Sequence, residues 1–238
     1  MKTTHLVLCS FLLLLSLEVL EVKALQFGRF VKTLAYFNQL NPLSGIMKNV
    51  RKNVKPSEVL KPNSVVWSSD SNIRGLEWAP LDDVVMGGAS ESTINVGAQF
   101  AGEWKGFVTT ENNGGFAGIR TKLISPPLDC SQCRGVILKV KGDGQRYKFI
   151  ARDDEDWNGV AWSLSFDTKS DKWIEVKVPF TQLKPTKFAR TVILPSGFSS
   201  QSLSAIQLTL SKFEYDGGLN PSFNEGYFSL VVESIKTY

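Results

Sequence analysis

A chain of 238 residues with 42% hydrophobic, 21% charged and 11% aromatic side chains has enough apolar material for one real core, which excludes wholesale disorder. The net charge of +4 is uneven: residues 1–57 carry eight Lys or Arg against two Glu, while the other 181 carry 19 basic and 21 acidic side chains, so the folded part has no general bias toward nucleic acid. The only histidine is His5, which excludes a Ser-His-Asp triad, a Cys-His pair, a His-ligated zinc site and a histidine general base from the rest of the chain.

The first element is an apolar run of twelve residues, Leu6–Leu17, closed by Glu18 and Glu21. Val22-Lys23-Ala24 places small residues at −3 and −1 of a cut after Ala24, so residues 1–24 have the layout of a secretory signal peptide. The run is short of the roughly 20 apolar residues a membrane span needs. Residues 25–57 contain six basic side chains and no acid. Phe27, Phe30, Val31, Leu34 and Phe37 recur at helical spacing, and Asn41-Pro42 ends that predicted helix. A signal followed by a basic, acid-free amphipathic stretch is the two-part address of plastids bounded by extra membranes. The alternative is a basic surface helix of the mature protein that docks on anionic lipid. A mitochondrial address and ordinary secretion are lesser alternatives.

Lys55-Pro56 and Lys61-Pro62 mark a linker, and the folded domain is expected over residues 58–238. Strands are predicted at Ser92–Val96, Phe100–Val108, Gly118–Leu123, Tyr147–Arg152 and Val160–Phe166. Period-two apolar sets add Val136, Leu138 and Val140; Ile174, Val176 and Val178; Ile206, Leu208 and Leu210; and Phe228, Leu230 and Val232. Turn residues separate them, and no long amphipathic helix follows residue 57. Eight or more short strands in about 180 residues predict an all-β, two-sheet antiparallel sandwich of jelly-roll type. The six Trp, at 67, 78, 104, 157, 162 and 173, are expected mostly to plug its core or its ends.

Four motifs invite a chemical reading. Gly114-Gly115 and Gly142-Asp143-Gly144 lack the spacing and following helix of a phosphate loop, and are read as hairpin turns. Cys130-Ser131-Gln132-Cys133 has no further ligand to complete a zinc site and is read as a local disulfide or two free thiols. Asp153-Asp154-Glu155-Asp156 is read as a solvated loop, with calcium as the minor alternative. Asp82-Asp83 is read as structural, since adjacent strand residues face opposite ways.

Several segments, taken in order, resemble the complex I intermediate-associated protein family. They are Trp78; Asp82-Asp83-Val84-Val85-Met86-Gly87-Gly88-Ala89-Ser90; Phe100-Ala101-Gly102; Glu111-Asn112-Asn113-Gly114-Gly115-Phe116-Ala117-Gly118-Ile119-Arg120; and Lys141-Gly142-Asp143-Gly144-Gln145-Arg146-Tyr147-Lys148-Phe149. Trp173 through Val178-Pro179-Phe180 resembles a later element of that family. The resemblance spans about residues 65–236. It implies a galactose-binding-like jelly roll with no catalysis and no cofactor. It also implies a chaperone-like assembly factor whose partners are protein subunits of a membrane complex under assembly, respiratory complex I or a plastid counterpart. The motif residues Asp82, Asp83, Met86, Gly87, Gly88, Ser90, Asn112, Asn113, Gly114, Gly115, Phe116, Arg120, Gly142, Asp143, Gly144 and Tyr147 are the candidate partner-binding set. Arg120 is expected to pair with Asp83 or Asp143. A carbohydrate-binding module of the secretory pathway is the alternative function.

Overall fold

The computed structural model describes residues 23–37, 58–71, 73–97, 101–156 and 158–238. The predicted apolar run at Leu6–Leu17, the helix stop at Asn41-Pro42 and most of the linker lie outside the described residues, as do Phe100 and Trp157. Two antiparallel sheets form a sandwich. The six-stranded sheet runs in the order β3 (Glu91–Asn95), β4 (Glu103–Val108), β13 (Gly226–Thr237), β6 (Gly135–Lys141) and β9 (Trp173–Pro179), with β1 (Val65–Ser68) also paired to β13. The twelve-residue β13 is long enough to take β4 at its start and β1 at its end along one edge, with β6 along the other.

The second sheet has seven strands: β11 (Arg190–Thr191), β10 (Lys184–Lys187), β8 (Ala161–Asp167), β7 (Arg146–Arg152), β12 (Ala205–Ser211), β5 (Phe116–Thr121) and β2 (Trp78–Pro80). The period-two sets point inward as expected. Leu138, Val140, Ile206, Leu208, Leu210 and Leu230 are fully buried between the sheets. Trp67, Trp78, Trp104 and Trp162 are buried with them, whereas Trp173 on β9 is 44% exposed. Trp104 lies edge-on to both Tyr147 and Phe228, with ring centroids 5.8 and 5.0 Å away, and so bridges the two sheets.

Two turn assignments need correction. Gly114-Gly115 lies between β4 and β5, and Gly142-Asp143-Gly144 between β6 and β7. In each case the two strands belong to different sheets, so these are crossovers at a corner of the sandwich and not hairpins. The hairpins are β3–β4, β7–β8 and β10–β11.

Residues 23–36 form an α-helix, α1, which packs on the domain. Arg29 Nη2 donates to the Ser90 carbonyl at 2.8 Å and its Nη1 lies 3.4 Å from Glu91. Tyr36 Oη donates to the Trp78 carbonyl at 3.3 Å, and Lys122 Nζ sits 4.6 Å above the Tyr36 ring. Of the amphipathic stripe, Phe30, Val31, Leu34 and Phe37 are half-buried and Phe27 is exposed. Among the described residues no helix is long and apolar enough to cross a membrane.

Cys130 and Cys133 are free and buried. Burial pushes the Cys130 thiol up to about 12, and Cys133 Sγ donates to the Leu60 carbonyl. Both are structural thiols beside the β6 corner. In the acidic run after β7, Asp153 accepts from Trp162 Nε1 on β8 and from the distant Ser199 N–H, and Asp154 accepts from Asp156 N–H within the loop.

Candidate functional site

The paired aspartates open a 3₁₀ turn, Asp83–Met86, and both carboxylates are buried. Asp83 is a hub. Its Oδ1 accepts from Ser90 N–H at 2.9 Å, and its Oδ2 from Ser90 Oγ at 2.8 Å, Gly115 N–H at 2.7 Å and Phe116 N–H at 3.2 Å. One carboxylate therefore ties the start of β3 to the corner between β4 and β5. Glycine stands at 88 and 114 because both pack against this carboxylate. A Cβ at Gly114 would sit 2.5 Å from Asp83 Oδ2, and one at Gly88 would strike the carboxyl carbon. Asn112 and Asn113 take the left-handed conformation that brings the chain round to that contact.

Asp82 does the same one strand over. It accepts from Ser92 N–H at 2.8 Å, Ser92 Oγ at 2.7 Å and Gly118 N–H at 3.1 Å. Burial outweighs these hydrogen bonds and the nearby Arg29 charge, and pushes its carboxyl from the ordinary 3.8 to about 6. Because the folded value lies above the unfolded one, the native state holds this proton more tightly. The group's contribution to stability is complete below about pH 4 and is lost as pH rises through about 6. The Asp82 carboxyl carbon is expected to titrate near pH 6 by NMR in the folded protein; a midpoint below pH 4 would refute this.

The third motif is a second hub. Asp143 accepts from the Tyr147 hydroxyl at 3.0 Å, Gln145 N–H at 3.0 Å and Ser229 N–H at 3.0 Å. Tyr147 is fully buried, and burial together with Asp143 raises its phenol well above the usual value. The two hubs share one end of the sandwich, bordering the start of β13. Glu225 accepts from Thr109 Oγ1, and Asn224 N–H donates to Gln145 Oε1. The expected pairing of Arg120 is corrected here. Its Nε donates to Gln207 Oε1 at 3.0 Å, and it pairs with neither Asp83 nor Asp143, whose oxygens are taken by backbone N–H and hydroxyl donors.

Arg120 belongs to a different feature. The outer face of the seven-stranded sheet carries Arg120 on β5, Gln207 and Thr209 on β12, Lys148 and Arg152 on β7, Ser163 on β8 and Thr186 on β10, all of them buried. Alternation predicts these residues in solvent. They line instead a partly open cavity of about 560 Å³, to which α1 contributes Phe30 and Leu34. Asp83, Met86, Gly88, Asn113, Gly114, Gly115 and Phe116 line the same cavity, so the first two motifs form part of its wall. Gly142, Asp143, Gly144 and Tyr147 do not line it. Met86 and Phe188 at its mouth are each 75% exposed.

The cavity is basic. Burial and the Arg152 charge lower the Arg120 guanidinium to about 9, and burial lowers Lys148 to about 8 and draws Arg152 down. Lys148 lies in the family-resembling segment that starts at Lys141 but not in the candidate partner-binding set, and Arg152 lies in neither. Their signal in the sequence is two cations at alternate positions of one strand, Lys148-Phe149-Ile150-Ala151-Arg152.

The fold resembles that of a family 11 carbohydrate-binding module from Clostridium thermocellum, solved in complex with a β-1,3-1,4-mixed-linked tetrasaccharide. That likeness has a TM-score of 0.52 at 16% identity and covers 75% of this chain and 96% of that one. The solution structure of CtCBM11 matches with a TM-score of 0.50 at 16% identity, covering 74% of this chain and 95% of that one. At such identity the likeness establishes the galactose-binding-like jelly roll and nothing about ligand. No curated protein matches the chain. The sequence profile of Complex I intermediate-associated protein 30 (CIA30) matches residues 67–232, nearly the whole sandwich and all three motif blocks. On that match the chain belongs to the Complex I intermediate-associated protein 30 family.

Proposed function

We propose that this protein is a non-catalytic, chaperone-like assembly factor that binds intermediates of a membrane complex, respiratory complex I or a plastid counterpart, inside an organelle. The family match over residues 67–232 carries this reading. The fate of the motif carboxylates supports it. Asp82, Asp83 and Asp143 each spend their oxygens on backbone N–H and hydroxyl donors within the fold, which makes them builders of corners and not acid or base groups. Met86 and Phe188 give the exposed mouth an apolar rim of the kind that takes a protein partner.

The test is a pull-down of the C-terminally tagged full-length protein from gently solubilised organelle membranes, with mass spectrometry of partners and of the mature N-terminus. Co-purifying complex I membrane-arm subunits are the expected result. Plastid complex subunits would move the same function to the plastid. A mature start near residue 25 would keep α1 in the working protein, and one near residue 55 would remove it. The alternative reading, a carbohydrate-binding module, draws on the fold alone. Specific binding on a glycan array without any membrane-complex partner would replace the assembly-factor reading with it.

A further inference from the structure

The cavity beside α1 has a built floor. Lys148, Ile150 and Arg152 alternate along the outer face of β7, and the pairing register sets Gln207 beside Ile150 and Thr209 beside Lys148 on one side, with Ser163 beside Ile150 on the other. Arg152 is 9% exposed, lines the cavity and forms no ion pair among the described residues. Its Nη1 donates to the Gly159 carbonyl at 3.1 Å, but its buried Nε–H has no acceptor. Asp154 and Asp156 act on it only through their fields. Lys148 Nζ donates to two main-chain carbonyls, those of Phe213 and Glu214, and to no carboxylate. Two buried cations and an idle guanidinium N–H ask for an anion, because a buried polar group without a partner is costly.

Glu214 also lines the cavity and acts on Lys148 through its field, but its oxygens are taken by Arg146 Nε and Ser165 Oγ. Much of the remaining wall is apolar, with Phe30 and Leu34 from α1 and Met86, Phe116, Phe188 and Phe213. A free hydrophilic anion would make no use of them. An uncharged sugar would leave the cations uncompensated. A volume of about 560 Å³ beside a helix has the size of a small-molecule site. We propose that this cavity binds an amphipathic organic anion, with its carboxylate or phosphate held by Arg152 and Lys148 and its apolar body against Phe30, Leu34 and Phe188. This inference rests on α1 staying in the working protein and not on the assembly-factor reading, and each can fail alone.

The test uses the full chain and anilinonaphthalene sulfonate, an aromatic anion that fluoresces in apolar sites. A saturable single site is expected, and Arg152→Gln should weaken it about tenfold, the worth of one charge-assisted hydrogen-bonding group. The neutral analogue phenylnaphthylamine should bind wild type and variant alike. If Arg152→Gln fails to fold, as read by its circular dichroism melt, Leu34→Asp on α1 serves instead, since it puts a carboxylate opposite the bound anion and leaves the sandwich core untouched. It too should weaken the probe about tenfold. Displacement by dodecanoate supports the proposal with a lipid acid as ligand; displacement by benzoate alone supports it with a small aromatic acid. Equal binding of the sulfonate by wild type and the folded variant overturns the proposal, as does displacement by inorganic phosphate alone.

Discussion

Asp83→Asn is expected to destabilise the domain by about 3–5 kcal/mol, a large share of the 5–15 kcal/mol available to a typical domain. The change is nearly isosteric, so lost packing does not enter. The amide has one acceptor oxygen where the carboxylate has two, and the wild-type group takes N–H donors on both. Placed at Oδ2, the new NH₂ faces Gly115 N–H and Phe116 N–H; flipped to Oδ1, it faces Ser90 N–H. Either orientation buries a donor against a donor and forfeits the charge that the native hydrogen bonds exploit. The failure should be local first, because these bonds hold the corner between β4 and β5. Urea unfolding followed by tryptophan fluorescence reads the loss directly. A midpoint shift equivalent to less than about 1 kcal/mol would show that the carboxylate is not the hub described here.

Trp104→Ala should cost a similar amount, about 3–5 kcal/mol, for a different reason. Its indole is fully buried and touches Tyr147 on one sheet and Phe228 on the other, so truncation opens a cavity between the sheets that neither strand can collapse to fill. The indole N–H has no acceptor among the described residues. Trp104→Phe is therefore expected to cost much less, about 1–2 kcal/mol, since it removes an unsatisfied donor along with some volume. Thermal melts of both variants separate the two effects. Equal losses would mean that the nitrogen, and not the shape of the ring, is what matters at this position.

Much of the sandwich was legible because its strands are half-buried and antiparallel. Ile206, Leu208 and Leu210 alternate with polar residues, and that alternation alone places β12. The shorter strands left no such trace. β2 has three residues and β11 two, and Pro80 and Pro185 interrupt any period in β2 and β10. The glycine turns were visible as turns, but not as crossovers between sheets. Which sheet a strand joins is settled by its distant partner: β6 joins β13, about ninety residues further on, whereas the next strand, β7, joins β8 and β12. The cavity was the least legible feature. Gln207 and Thr209 read as solvent-facing residues because nothing local reveals that a helix from residues 23–36 comes back to line the same cavity.

The place of β13 has a consequence for how the molecule can be made. It follows all the other described strands in sequence, yet it stands inside the six-stranded sheet and, among the described residues, is the strand that links the β3–β4 hairpin, the β6–β9 pair and β1. Without it β3–β4 is an isolated hairpin, β6–β9 an isolated pair and β1 a lone segment. A ribosome delivers the N-terminus first, so the sheet cannot close until residues 226–237 have emerged, and isolated two-stranded pieces are marginal in water. The nascent chain therefore stays open until β13 has emerged, with its apolar strand faces unburied. Until then it is in need of shielding, because two-stranded pieces cannot bury their apolar faces on their own.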